Sequence, residues 1–281
     1  MTDSPIQLQL PEPASALPIV LDSPHSGTDW PADFDGILEP AYLREAEDCF
    51  VDRLYAHAPQ LGAALLAARF PRLYIDPNRS ADDIDALLLD APWPGPINPS
   101  DKTRLGFGLC WRLLKGRPIY GRRLAVAEVQ QRIARYWQPY HDALWPLLDA
   151  THARFGAVWH LNVHSMGDDA YKTLGLPEKP LADFVLGDLD GSTADEPTMA
   201  LVETVLRDHG FSVARNDPFK GVAIIRRSGR PAERRIALQI EVKKSVYMDR
   251  ARCEPHEGFA RVQAALDAML RALGDHTRRR A

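Results

Sequence analysis

Short apolar runs bounded by turn residues alternate along this chain with longer segments whose apolar positions recur every three or four residues. Residues 16–21, 63–68, 73–75, 157–163, 184–186, 222–225 and 236–242 read as strands. Most are apolar on both faces, the pattern of strands buried in a sheet that helices cover. Residues 41–57 read as a helix, with Leu43, Phe50 and Leu54 apolar and acidic residues in the first turns, where the macrodipole favours them. Residues 124–155 set Val126, Val129, Ile133, Trp137, Tyr140 and Leu144 at helical spacing, with a kink or break expected at Pro139 and Pro146. Two further helices are expected at 193–210, ending at a Gly210 cap, and at 259–273. The alternation predicts an α/β class of three layers. One stretch stands apart: residues 82–123 are rich in proline and glycine, too long for a structureless connection. Its Phe107, Trp111 and Tyr120 predict an ordered loop region near a site. The basic triplet at 278–280 is expected to be frayed surface.

Composition narrows the class without naming a chemistry. The 281 residues fit a single large α/β domain and also allow two compact ones. Hydrophobic residues at 45% supply enough material for a core, which excludes disorder over most of the chain. Lys plus Arg total 34 and Asp plus Glu 38, a net charge of −4 that argues against a nucleic-acid partner. No Lys or Arg precedes Arg44, so no secretory or mitochondrial leader is expected. The longest apolar run, the eight residues 61–68, falls well short of the roughly 20 a membrane span requires. Cys49, Cys110 and Cys253 are widely spaced and odd in number, which points to a reducing compartment and no disulfide framework. A soluble, cytoplasmic protein is the expectation.

The usual nucleotide loops are missing: there is no G-x-G-x-x-G after a strand and no G-x-x-x-x-G-K-[ST]. Val163-His164-Ser165-Met166-Gly167 lacks the first glycine of a nucleophile elbow, so Ser165 stands only as an alternative nucleophile. His25 and His164 each follow directly from a strand, where open α/β sheets bind ligands. They are either satisfied structural imidazoles or two ligands of a metal needing a third. Glu47 and Asp48 are the nearest carboxylates, read more simply on their own as helix-surface charges. Gln239 and Glu241 lie on one face of an otherwise apolar strand. Burying a carboxylate is costly, and burial drives its pKa upward, toward that of a general base. The plainer reading is an ion pair with Lys243 or Lys244. Asp76-Pro77-Asn78-Arg79 is either a turn with a surface arginine or a fork that grips a carboxylate.

An ordered set of segments resembles the N-formylglutamate amidohydrolase family. The set begins with Ser23-Pro24-His25-Ser26-Gly27, Glu47-Asp48 with Val51-Asp52-Arg53-Leu54-Tyr55, and Tyr74-Ile75-Asp76-Pro77-Asn78-Arg79. It continues through Gly106-Phe107-Gly108-Leu109, Ile119-Tyr120, Tyr140-His141 and Asn162-Val163-His164-Ser165-Met166. It closes with Asn216-Asp217-Pro218-Phe219-Lys220-Gly221, Gln239-Ile240-Glu241 and Tyr247-Met248-Asp249. The resemblance implies one domain over 1–281 with a loop insertion at 82–123, and a three-layer αβα fold around a mixed sheet, similar to zinc carboxypeptidases and aspartoacylase-like hydrolases. It implies one zinc ion (Zn2+) held by His25, His164 and a carboxylate. The carboxypeptidase pattern His-x-x-Glu has Thr28 at its last position here, so that carboxylate comes from elsewhere: Asp48, with Glu47 the runner-up. It further implies Glu241 as general base and Asn78 with Arg79 on the substrate α-carboxylate. Lys220 and Arg226 are candidates for a second carboxylate, with Arg104 a further one. The sequence departs from relatives at Pro77, where leucine is common, and at Val222, where a second glycine often follows Gly221. The implied activity is hydrolysis of N-formyl-L-glutamate, a small anionic N-acyl amino acid, in histidine catabolism. A deacylase of another N-acyl amino acid such as N-formylaspartate, and a non-catalytic anion binder, are the alternatives.

Overall fold

In the computed structural model, which describes residues 4–280, the apolar runs become strands of one mixed sheet with helices on both sides. The strands are β1 (Ile6–Gln9), β2 (Ile19–Ser23), β3 (Ala64–Ala68), β4 (Val158–Met166), β5 (Phe184–Gly187), β6 (Val213–Arg215) and β7 (Arg235–Lys243). Their order is β1-β3-β2-β4-β7-β5-β6. β2 runs parallel to β4 and β4 parallel to β7, β5 is antiparallel to β7, and β6 parallel to β5. Every residue of β2, β3, β4 and β5 is buried, as strands covered on both faces require.

The helices are α1 (Val126–Arg132), α2 (Gln138–Phe155), α3 (Glu196–Asp208), α4 (Ala223–Ser228) and α5 (Gly258–Arg280), with several shorter turns between them. α3 begins where the Asp195 carboxylate accepts from the Thr198 amide, at 3.1 Å, and ends before Gly210, whose φ of +78° suits glycine. α5 buries Val262, Ala265, Leu266, Met269, Leu270 and Leu273, a stripe at helical spacing. Each such Leu or Met contributes about 1.5–3 kcal/mol by leaving water. No helix among the described residues is long and apolar enough to cross a membrane. Cys49 and Cys110 are buried and Cys253 is half-buried.

Four local expectations are corrected. Residues 73–75 are not a strand: the Tyr74 amide bonds the Pro71 carbonyl and the Arg79 amide that of Asp76, so 71–79 is a succession of buried turns. Residues 222–225 are not a strand either; they open α4, whose Ile224, Ile225 and Ser228 are buried at helical spacing while Arg226 faces water. Residues 41–57 do not form one helix. Phe50 takes a φ of +66° and Glu47 is extended, leaving only Pro40–Leu43 and Val51–Leu54 as α turns. The long helix does not break at its prolines. It widens into a π turn at Ile133–Trp137, just before Pro139, where the missing amide and the ring disturb the preceding turn. It then carries Pro146 inside α2. The 278–280 triplet is the last turn of α5, where Arg280 pairs with Asp195.

Contacts divide the chain into two compact units. One comprises the start of the chain to Gln7, Pro24–Cys49 and Ala67–Ala143; the other comprises Leu8–Ser23, Phe50–Leu66 and the remainder from Leu144. The second holds β2 and β4 to β7. The first holds the 82–123 stretch, which is ordered by a short helix at Asp101–Arg104 and a hairpin of Leu113–Leu114 with Arg117–Pro118.

Candidate active site

In the second unit, the register of three neighbouring parallel strands stacks polar side chains toward their carboxyl ends. Asp22 of β2 is level with Asn162 of β4, and Asn162 with Gln239 of β7. One step beyond, two residues on, His164 is level with Glu241. All five are buried. His164 Nε2 lies 2.7 Å from Asn162 Oδ1, and Asn162 Nδ2 donates to both Asp22 oxygens at 2.9 and 3.1 Å. Asp22 also receives His160 Nε2 at 2.8 Å, and His160 Nδ1 lies 2.8 Å from Ser228 Oγ. Gln239 Nε2 donates to Glu241 Oε1 at 2.9 Å. Lys243, one of the two ion-pair partners considered for Glu241, points its Nζ at Asp183 instead, at 2.7 Å. Ser165 lies within extended β4 and not on a sharp strand-to-helix turn, so the local backbone is no nucleophile elbow.

In the first unit, Asp48 is not a helix-surface charge. It sits in the irregular stretch left by the broken helix, 2% exposed, with its amide bonded to the His25 carbonyl. Its Oδ2 is 3.2 Å from His25 Nδ1. The other ring nitrogen of His25 is 2.7 Å from Asp76 Oδ1. Gly27 lets the His25 loop press against the Arg69–Phe70 backbone, since a Cβ there would come within 2.2 Å of it. Glu47, the runner-up, is engaged by Arg44 at 3.1 Å.

Asp76 is the hub of this unit. Besides His25 it receives the Asn78 amide (2.9 Å), Arg72 Nη2 (3.2 Å) and Trp111 Nε1 (3.3 Å). Burial alone would raise its pKa, but His25, Arg72 and Arg79 hold it well below the usual carboxylate range. The same turn fixes Arg79, whose Nε donates to the Phe107 carbonyl at 3.0 Å. Burial lowers the Arg79 pKa while Asp76 opposes the shift. Two side chains of the long helix brace the turn: Trp137 Nε1 donates to the Arg79 carbonyl and His141 Nε2 to that of Pro77, both at 2.9 Å. The 82–123 stretch thus supplies Phe107 and Trp111 to the Asp76–Arg79 turn.

One set of donors is suited to a metal. His25 and Asp48 of the first unit and His164 of the second are all buried, and each offers a ligand atom. Two imidazoles and a carboxylate suit a divalent ion such as zinc. Each imidazole has a further acceptor on its other nitrogen, the arrangement that orients metal-binding histidines. The remaining cations differ in setting. Lys220 and Arg226 are exposed and line a cleft of about 540 Å³ with Asp190, Ser192 and Thr193 in the second unit. Lys220 is paired there with Asp190 at 2.8 Å. Arg104 is exposed on its short helix and paired with Asp101. Sequence reasoning had not singled out Asp22, Arg72, Asp76 or Asn162 as separate residues. The i, i+2 spacing of Asn162 to His164, the same as that of Gln239 to Glu241, was the signal for one of them.

A sheet that gathers titratable side chains at the carboxyl ends of central parallel strands has the layout of an α/β enzyme. Comparison with known proteins gives the class its particulars. The model of the N-formylglutamate amidohydrolase family matches residues 17–248. A crystal structure of N-formylglutamate amidohydrolase from Ralstonia eutropha JMP134 is 52% identical, with a TM-score of 0.96 over 99% of this chain and 100% of that one. N-formylglutamate deformylases of Pseudomonas aeruginosa and Pseudomonas putida are 32% and 31% identical, over 83% and 92% of this chain and the same shares of theirs. The chain belongs to the N-formylglutamate amidohydrolase family, and it is a hydrolytic amidohydrolase.

Proposed function

We propose that this protein hydrolyses N-formyl-L-glutamate to formate and L-glutamate with one zinc ion held by His25, Asp48 and His164. The observation that carries the reading is the burial of these three donors, two imidazoles and a carboxylate, in a chain of this family. A bound zinc supplies Lewis acidity, lowering the pKa of water toward 7 and polarising a carbonyl. Glu241 accepts the proton of the water that attacks the formyl carbon. As the C–O bond forms and the C–N bond breaks, Glu241 returns that proton to the leaving nitrogen. Asn78 and Arg79 hold the α-carboxylate; the buried, braced setting of Arg79 supports this role. Arg72 is the cation beside Asp48, 3.7 Å from its Oδ1, and supports the developing oxyanion. Lys220 and Arg226 meet the side-chain carboxylate. Histidine catabolism and a cytoplasmic location belong to the same proposal.

The test is activity on N-formyl-L-glutamate, with zinc content measured, before and after dialysis against a chelator. The expected result is one zinc per chain, loss of activity on its removal and recovery when zinc is returned. Full activity without metal removes the zinc reading. Stoichiometric zinc without amide hydrolysis points to an anion binder, and faster turnover of N-formyl-L-aspartate reassigns the substrate.

A further inference from the structure

The polar level beneath His164 and Glu241 has a job that the reaction scheme leaves unassigned. Asp22, Asn162 and Gln239 lie side by side on three adjacent strands, at most 4% exposed. A sheet interior ordinarily takes apolar side chains at such positions, because buried polar groups cost free energy unless they are bonded. One hydrogen bond from Asn162 leads to His164 and one from Gln239 leads to Glu241, while Asp22 holds Asn162 from the side.

The orientation of the Asn162 amide follows from chemistry. The two oxygens of Asp22 accept hydrogen bonds and receive the Asn162 nitrogen, so the Asn162 oxygen is the end turned to His164. That oxygen only accepts, so His164 Nε2 carries the ring proton and donates it. The lone pair is then on Nδ1, the form in which an imidazole binds a metal. Asp22 is itself held by His160, which Ser228 contacts from α4. On the neighbouring strand, the Gln239 nitrogen donates to Glu241 while its Oε1 is buried without a hydrogen-bond partner. A residue present only for packing would carry that unmet acceptor at a cost and with no return.

We infer that Asn162 and Gln239 are paired positioning residues: Asn162, backed by Asp22, fixes the tautomer and aim of His164, and Gln239 fixes the carboxylate of Glu241. The inference rests on the metal and base roles proposed above, and it separates them: one amide acts on metal affinity, the other on turnover.

Metal-free protein titrated with zinc in competition with a chromophoric chelator reads the first role, and steady-state kinetics on N-formyl-L-glutamate read the second. Asn162→Leu is expected to weaken zinc binding by about 10- to 100-fold, the range for the loss of an outer partner of a metal ligand. Gln239→Met is expected to keep zinc affinity within about twofold while kcat falls about tenfold or more at an unchanged KM. Wild-type zinc affinity in folded Asn162→Leu, or equal zinc loss in both variants, overturns the inference. So does wild-type kcat in Gln239→Met. If Asn162→Leu does not fold, Asn162→Ser, whose hydroxyl is too short to reach His164, reads the same loss. A wild-type protein that binds no zinc breaks the metal reading itself, and with it the Asn162 role; the Gln239 role is still decided by kcat.

Discussion

Arg79 and Lys220 are both cations proposed to meet a carboxylate of one substrate, yet their surroundings differ in kind. Arg79 is buried, its Nε is held by the Phe107 carbonyl, and Trp137 and His141 pin the turn behind it. Lys220 is exposed on an open cleft, paired with Asp190, and Arg226 is exposed on the same cleft. The loss of hydration and side-chain freedom at Arg79 is met when the chain folds, so a carboxylate arriving there finds a cation already fixed. At Lys220 a substrate must displace Asp190 and order a flexible side chain in water, where ion pairs are screened. On the roles proposed for them, two like-charged contacts should contribute unequally: the rigid one is expected to set the pose and the mobile one to adjust affinity.

The strongest way to break this comparison is Arg79→Lys. The charge stays but the planar fork is lost. We expect kcat/KM for N-formyl-L-glutamate to fall about 10- to 100-fold, matching the roughly 1.5–3 kcal/mol of a hydrogen bond to a charged group. Lys220→Met should raise KM only about two- to fivefold with kcat unchanged, the scale of an exposed ion pair worth about 0.2–1 kcal/mol. Added salt should shrink the Lys220 effect and leave that of Arg79 largely intact. If steady-state kinetics find Lys220→Met the more damaging change, the ranking of the two regions is inverted.

The same contrast explains what could be read from residues alone. His25, His164 and Glu241 were legible because each is a polar residue on or just after an apolar run, an anomaly that burial makes expensive. The strands carrying them were legible for the same reason. Asp48 was not, because its setting depends on a helix failing to form. Phe50 adopts a left-handed backbone that no periodicity reveals, and Glu47 is extended, so the chain between the two short α turns is irregular. The Asp76–Arg79 turn was misjudged in its lead-in: Leu73 to Ile75 are as apolar as any strand, yet they are buried as turns. Val222 to Ile225 failed in the opposite sense, since four apolar residues fit a strand or the start of a helix equally well, and only the packing of Ser228 decides. The role of Asp76 as a hub was hidden because its partners come from His25, Arg72 and Trp111, far apart in the chain.

Arg104 sharpens the comparison from its weak end. It is more exposed than Lys220 and already paired with Asp101 on its own turn. Arg104→Ala should therefore leave both kcat and KM within about twofold of wild type, the range of surface ion pairs with little net value. A tenfold rise in KM would move Arg104 into the substrate site and extend the mobile region into the 82–123 stretch.

The smallest expected effect on activity belongs to the carboxylate of Asp183, paired with Lys243 two residues after the proposed base. Asp183 takes Lys243 Nζ at 2.7 Å and both the amide and hydroxyl of Ser212, at 3.0 and 2.8 Å. Partial burial pushes its pKa up, but these donors outweigh that and hold it below its ordinary 3.8. The sign of the pH effect follows. An acid whose folded pKa is depressed adds stability above its unfolded pKa, and that stability is lost as pH falls through the folded value. Asp183→Asn should therefore lower the melting temperature at pH 7, and the gap to wild type should close below pH 3.8. Because Lys243 is engaged with Asp183 and not with Glu241, kcat should change by less than about twofold, the level expected for a structural pair away from the chemistry. Thermal melts across pH, with kcat at neutral pH, check both halves. A large fall in kcat would mean that Lys243, once released, turns to Glu241 and neutralises the base, and the two carboxylates would then be coupled through one lysine.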